Sequence, residues 1–227
     1  GNSDGWIDVT VTGGAGNIIY VWSNGETTQD IEDLVAGTYL VTATDENGYS
    51  VSVSVEITET AAMVVSEDHS DYTGYGVSCN GNSDGWIDVT VTGGTGVYTY
   101  EWSLDATATA NLSTLSSEEM TALAISNGID PAAAATAIVN GLSMVGGSSL
   151  NGMPAGSYSV LTTDENGCSV SISVEIEEAD AMSISETHSD YTGYGVSCNG
   201  VSDGSIDVTV IGGTGTYTYE WSNGEVT

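Results

Sequence analysis

The chain has 227 residues, 32 of them Asp or Glu and none Lys or Arg, for a formal charge of −32. Phosphate backbones and anionic bilayers are held by Lys and Arg, so nucleic acid and anionic membrane surfaces are excluded as partners. With 40% apolar residues, 12 Tyr and 5 Trp the chain has the material for a core, and no run of 18 apolar residues offers a membrane span.

Self-similarity organises everything that follows. Residues 1–14 return unchanged at Gly81, an offset of 80, and a third copy begins at Gly200, a further 119 on, so the middle repeat carries 39 extra residues. A second identical string runs from His69 to Cys79 and again from His188 to Cys198. A chain that starts and stops inside repeats is expected to be a segment of something longer.

In chain order, Ile7, Val9 and Val11 alternate with Asp8, Thr10 and Thr12, which predicts a strand with one dry face. After a Gly-rich turn, Ile18, Tyr20 and Trp22 form the next strand, with its aromatics inward. Tyr39, Val41 and Ala43 lead through an Asn-Gly hairpin turn at Asn47 to Val51, Val53, Val55 and Ile57. The middle repeat answers with Ile87, Val89 and Val91, then Tyr98, Tyr100 and Trp102, then Tyr158 and Val160, then Val170, Ile172 and Val174. An opening strand is expected near Met63 or Met182, and the third copy supplies Ile206, Val208 and Val210, then Tyr217, Tyr219 and Trp221.

Six or seven short strands per repeat predict an all-β chain of tandem Ig-like antiparallel sandwiches stacked end to end. The expected division is a partial repeat at 1–59, a complete one at 60–178 and the first half of another at 179–227. Within the middle repeat an αα-hairpin is expected at 104–151. Ser116 and Glu119 have capping-box spacing ahead of Met120, Leu123 and Ala124, and Asp130-Pro131 starts a second helix bearing Ile138, Val139 and Leu142.

Cys79 and Cys168 fall at sandwich ends, where a disulfide could tie the first strand to the last, closing a loop of about 90 residues and adding on the order of 4 kcal/mol. That bridge would imply an oxidising compartment. The alternative is two unrelated buried thiols. Cys198 matches Cys79, and Tyr49 stands where Cys168 does.

No catalytic constellation is expected: His69 and His188 are copies of one position, and the adjacent carboxylates follow from acidity. Calcium is the metal whose hard oxygen ligands the chain supplies, with Asp4, Asp84 and Asp203 at one recurring turn and Asp45 and Asp164 at another. These sequences are also ordinary turn formers, which is the preferred reading. No other cofactor is expected. Trp6 and Trp86 share the outward parity of Asp8 and Asp88, as candidate sugar-stacking aromatics or as a capped edge.

The string from Cys79 through Gly81, Asp84, Ile87, Gly93, Gly94, Gly96, Tyr98, Tyr100 and Trp102, followed by Ala155-Gly156, Tyr158, Asp164 and Asn166-Gly167-Cys168, resembles the SprB repeat of giant surface adhesins in gliding Bacteroidetes. The resemblance implies export by the type IX secretion system to an extracellular, cell-surface location. The partners it implies are external surfaces or polysaccharides, adjacent repeats of the same chain and the gliding machinery. Two functions follow from it: a stalk segment of an adhesin filament, or a carbohydrate-binding or spacer module of an exported enzyme.

Overall fold

A computed structural model describes residues 2–132, 134–135 and 144–226. The chain forms two compact units, Gly1–Ala61 and Ala62–Thr227. The first contains β1 (Gly5–Ile7), β2 (Ile19–Trp22), β3 (Ile31–Leu34), β4 (Gly37–Thr44) and β5 (Ser50–Ile57), in the sheets β1-β3 and β2-β4-β5. The second contains β6 (Val64–His69), β7 (Gly85–Thr92), β8 (Thr99–Leu104), α1 (Ala106–Leu112), α2 (Ser117–Ser126), β9 (Met144–Gly146), β10 (Ser149–Met153), β11 (Gly156–Thr163) and β12 (Ser169–Ile176), followed by the β13 (Ser183–His188) and β14 (Ile206–Ile211) ribbon.

The middle repeat is a complete seven-stranded sandwich, with β10-β7-β6 facing β12-β11-β8-β9 and all pairs antiparallel. The period-two pattern predicts its inner face well: Ile87, Val89, Trp102, Tyr158, Val160, Val174 and Ile176 are buried in one cluster. Two hallmarks of Ig-like sandwiches recur. Trp102, wholly buried on β8, has the counterpart Trp22 on β2. Tyr158 near the start of β11 donates its hydroxyl to Pro154 O at 2.7 Å, as Tyr39 does to Val35 O at 2.9 Å.

Differences from the alternation arise where a partner strand is missing. β7 lies between β6 and β10 and runs eight residues. Its counterpart β1 pairs with β3 only and runs three, its continuation held instead by the Asp30 carboxylate accepting from Val9 N and by Gln29 Nε2 donating to Val9 O. In the third repeat, the expected strand through Tyr219 makes a single bridge among the described residues, Glu220 to Val226, because no counterpart of β11 lies within the chain. The string repeated at His69 and His188 folds twice into the same loop. Ser70 Oγ donates to Gly76 O and Ser189 Oγ to Gly195 O, while Asp71 and Asp190 accept from Gly74 N and Gly193 N.

The expected boundaries of the helical insertion are too wide. Met144–Gly146 pairs with β8 and Ser149–Met153 with β7, so the tail of the 104–151 window belongs to the sandwich. The capping box at Ser116 and Glu119 is present and opens α2. α1, capped by Asp105, is an additional helix that the expected pair does not include. Asp130 accepts from Ala132 N, and its carbonyl accepts from Ala134 N, at the position where the second helix of the hairpin is expected to start. Ile138, Val139 and Leu142 lie outside the described residues.

The inserted helices are part of the core of their own sandwich. Ala108, Leu112, Ala124, Ile129 and Ala134 are buried in the same cluster as Leu150, Met153 and Tyr158. α1 approaches β11 so closely that a Cβ on Gly156 would lie 2.6 Å from the backbone nitrogen of Ala108, and Gly156 has φ +147. The equivalent Gly37 has open space, its nearest neighbour being Tyr39 Cε2 at 3.9 Å. Gly156→Ala should therefore destabilise the middle repeat by about 2–3 kcal/mol through overpacking. Gly37→Ala should change stability by less than about 1 kcal/mol, and paired thermal melts of the two variants check the contrast.

Candidate functional site

The recurring aspartates act as clasps. Asp164 Oδ1 accepts from Asn166 N and Cys168 N within its hairpin turn, while Oδ2 accepts from Thr95 N and Thr95 Oγ1 across the sandwich end. Asp45 does the same with Asn47 N, Tyr49 N and Ala15 N. Burial works against the Asp164 charge, but the donors from Cys168, Thr95 and Asn166 outweigh it and hold the pKa below its ordinary value. At Asp45 the Tyr49 amide is the largest influence, with the same outcome.

Asp84 accepts from both the amide and the hydroxyl of Ser78, and Asp203 accepts from Ser197 N at 3.1 Å, locking the loop that precedes β7 and β14. At Asp84 desolvation is outweighed by the Ser78 donors, and at Asp203 the Ser197 hydroxyl leads; both carboxyls are held below the usual range. Asp4 is exposed on its turn. The five candidate calcium ligands are thus spread over separate turns. The two oxygens of Asp164 each have two donors already, which fills a carboxylate's acceptor capacity. Among the described residues no three His, Cys, Asp or Glu side chains converge as a metal site would require.

The cysteine pairing needs correction. Cys168 sits where β11 turns into β12, beside Thr95 and the start of β6, at the end where the chain arrives. Cys79 belongs to the loop before β7, whose Gly76 and Gly81 amides bond Glu177 and Glu178, at the end where the chain leaves. The eight residues of β12 between those ends span about 25 Å, far beyond the roughly 7 Å Cα separation a disulfide tolerates. All three cysteines are unbonded and exposed, so the inference to an oxidising compartment loses its basis.

The histidines are tied locally: His69 Nδ1 lies 2.8 Å from Glu67 and His188 Nδ1 3.0 Å from Glu186, each two residues back on the same strand face. Trp86 is half-buried, whereas Trp6 is 70% exposed. Trp6 borders a groove of about 950 Å³ in the first unit, floored by Ile7, Ile31 and Leu34 and flanked by Val35 and Tyr39. Carboxylates crowd its rim: Asp8, Glu26, Asp30, Glu32 and Asp33. Asp8 shares a hydrogen bond with Asp30, and that bond, together with the neighbouring charge, raises its pKa. Composition and spacing single out Trp6 on this surface but not Tyr39, Asp30, Glu32 or Asp33.

Three segments, residues 1–27, 77–107 and 196–226, match the SprB repeat family. Each match covers the loop before the β7-type strand, that strand, the Gly-rich turn and the Trp-bearing strand, and the middle match ends within the first turn of α1. No curated protein matches the chain. Among solved structures, the amphioxus IgVJ-C2 molecule is similar at 12% identity over 77% of this chain and 96% of its own, with a TM-score of 0.33.

Two outcomes follow from this geometry. Because the folded pKa values of Asp45, Asp84, Asp164 and Asp203 are depressed, their stabilisation is complete above the ordinary value of 3.8 and is lost as pH falls through the folded values. Melting temperature should drop below pH 3.8, and Asp164→Asn, which sets an amide NH2 against the Thr95 amide, should melt lower at neutral pH with a shallower acid arm. Separately, reduction should leave the melting temperature and the intact mass of the monomer unchanged; a two-hydrogen mass gain would restore the bridge within the chain.

Proposed function

We propose that this chain is a length of stalk from a large secreted adhesin displayed on the cell surface. SprB repeats occur in large cell-surface adhesins. One structural observation carries the finer reading: the middle repeat receives the chain at the end marked by Thr92 and Val64 and releases it at the end marked by Gly85 and Ile176. A module whose termini lie at opposite ends can be strung in series without folding the string back on itself.

The joint that follows it supports that use. Asn80 Nδ2 donates to Ala179 O and Gly81 N to Glu178 Oε2 from the middle repeat, and Gly213 N donates to Asp180 O from the third. Ala179 is buried. Connecting residues gripped from both sides, with no Pro-rich or Gly-rich slack, favour a stiff succession of sandwiches over a flexible chain. The single-sign charge fits an exposed surface role, keeping the stalk hydrated and neighbouring chains apart.

We read the repeat as a non-catalytic spacer whose work lies in reach and presentation. Its clasped aspartates and Glu-bound histidines serve the architecture. Gliding-type adhesion to surfaces or polysaccharide, and export by the type IX route, rest on the family resemblance. Small-angle scattering on chains containing increasing numbers of complete repeats tests the stalk: the maximum dimension should grow linearly, by about 35–45 Å per repeat. Growth as the square root of repeat number, or a compact particle, would falsify it.

A further inference from the structure

The helical insertion and the open groove occupy the same place in two repeats. Ile31, Leu34, Val35 and Tyr39 of the first repeat correspond to Leu150, Met153, Pro154 and Tyr158 of the middle one. In the middle repeat α1 and α2 cover those residues, and Leu150, Met153, Pro154 and Tyr158 are buried. α2 also seals the outer edge of β10: Asn127 accepts from Asn151 N at 2.7 Å and donates to Asn151 O at 3.0 Å. Among the described residues of the first repeat no helix covers this face; Val35 is 49% exposed, and Glu32, the counterpart of Asn151, is exposed on the edge of β3.

Charge distinguishes the two faces. The insertion that covers the middle repeat is itself acidic, with Asp105, Glu118, Glu119 and Asp130 and no cation. Beneath it, the positions equivalent to Glu26, Asp30, Glu32 and Asp33 are Val145, Ser149, Asn151 and Gly152. Where an acidic helix pair is seated, these four positions carry no charge. Where the face is open, four carboxylates stand at those same positions. A second copy of this chain, which has no Lys or Arg, would be repelled there.

We propose that the groove of the first repeat is a docking site for a partner's amphipathic helix that presents an apolar stripe flanked by Lys or Arg. The helix lies across Tyr39 and Val35 as α1 and α2 lie across Tyr158 and Pro154, and its cations meet the rim carboxylates. The proposal concerns a face of the sandwich that the stalk reading does not use, so it stands or falls independently of how the repeats are strung.

The test uses the full 227-residue chain and a fluorescently labelled synthetic helix of Leu, Ala and Lys. Its comparators are a scrambled peptide of identical composition and a Leu/Ala/Glu version. The variant D30N/E32N/D33G removes the three charges while keeping an oxygen at residue 30 to accept from Val9 N, and its last two changes are the residues the middle repeat uses there. The Leu/Ala/Lys helix should bind saturably at one site, shift the emission of exposed Trp6 to the blue, and weaken about tenfold or more in the triple variant. The Leu/Ala/Glu peptide should not bind. Equal binding of the scrambled peptide, or undiminished binding to the triple variant, would show general attraction to a polyanion and overturn the proposal. Displacement of the helix by a neutral oligosaccharide would overturn it in favour of a glycan groove.

Discussion

The indole of Trp102 sets the condition that the rest of the sandwich has to meet. It is buried on β8 in one sheet, and its Nε1 must find an acceptor there, because an unpaired indole N–H in a core costs on the order of 1–3 kcal/mol. The acceptor is Gly147 O at 2.9 Å, in the turn between β9 and β10 where the chain passes from one sheet to the other. In the first repeat Trp22 reaches Thr28 O at 2.8 Å at the same crossing. The sequence separation of this bond rises from 6 residues to 45, so the 39 inserted residues lie inside a loop whose two ends it fixes. Lengthening such a loop adds only slowly to its closure entropy, which explains why helices were accommodated there without disturbing either sheet.

The same bond separates what the sandwich requires from what it tolerates. The inner faces of β7, β8, β11 and β12 repeat with few changes, whereas the surface beside the crossing varies with what covers it. Thr162 shows the tolerance in miniature: its buried hydroxyl is unpartnered among the described residues, and the first repeat has Ala43 there. Gly152 shows it at the edge. Its positive φ is matched by Asp33 at φ 58, but a Cβ on Gly152 would press on Leu123 of α2, a neighbour that the first repeat does not have.

Much of this was legible because it is local. Alternation placed the β7-type strands, the Asn-Gly steps placed the hairpins, and the Ser116 and Glu119 spacing placed α2. Four things were not. β9 and β10 are too short to show a period, and Leu150-Asn151-Gly152-Met153 is recognisable only once the Trp102 bond aligns it with Ile31-Glu32-Asp33-Leu34. α1 alternates Ala and Thr, a period-two pattern, and is helical because Asp105 caps it and Ala108 and Leu112 pack on the core. The cysteine pairing failed because the two ends of a sandwich have similar turn chemistry in sequence, and only strand direction tells them apart. The groove was missed for a related reason. The exchange of Asp30, Glu32 and Asp33 for Ser149, Asn151 and Gly152 becomes visible only after the insertion is removed from the alignment.

The opposed ends of the middle repeat also determine how it meets a pull. β6 and β12, the first and last strands, run in the same direction, and tension on the chain draws β6 out of one end and β12 out of the other. The load is therefore parallel to the strands. The six residue pairs joining β6 to β7 and the eight joining β12 to β11 must slide together instead of opening one after another. Loading in shear raises the force at which the fold yields, and that yield is governed by the unfolding rate rather than by equilibrium stability. A tether between a cell and its substratum built from such units would hold its length under drag until whole sandwiches give way, each releasing its slack in a single step.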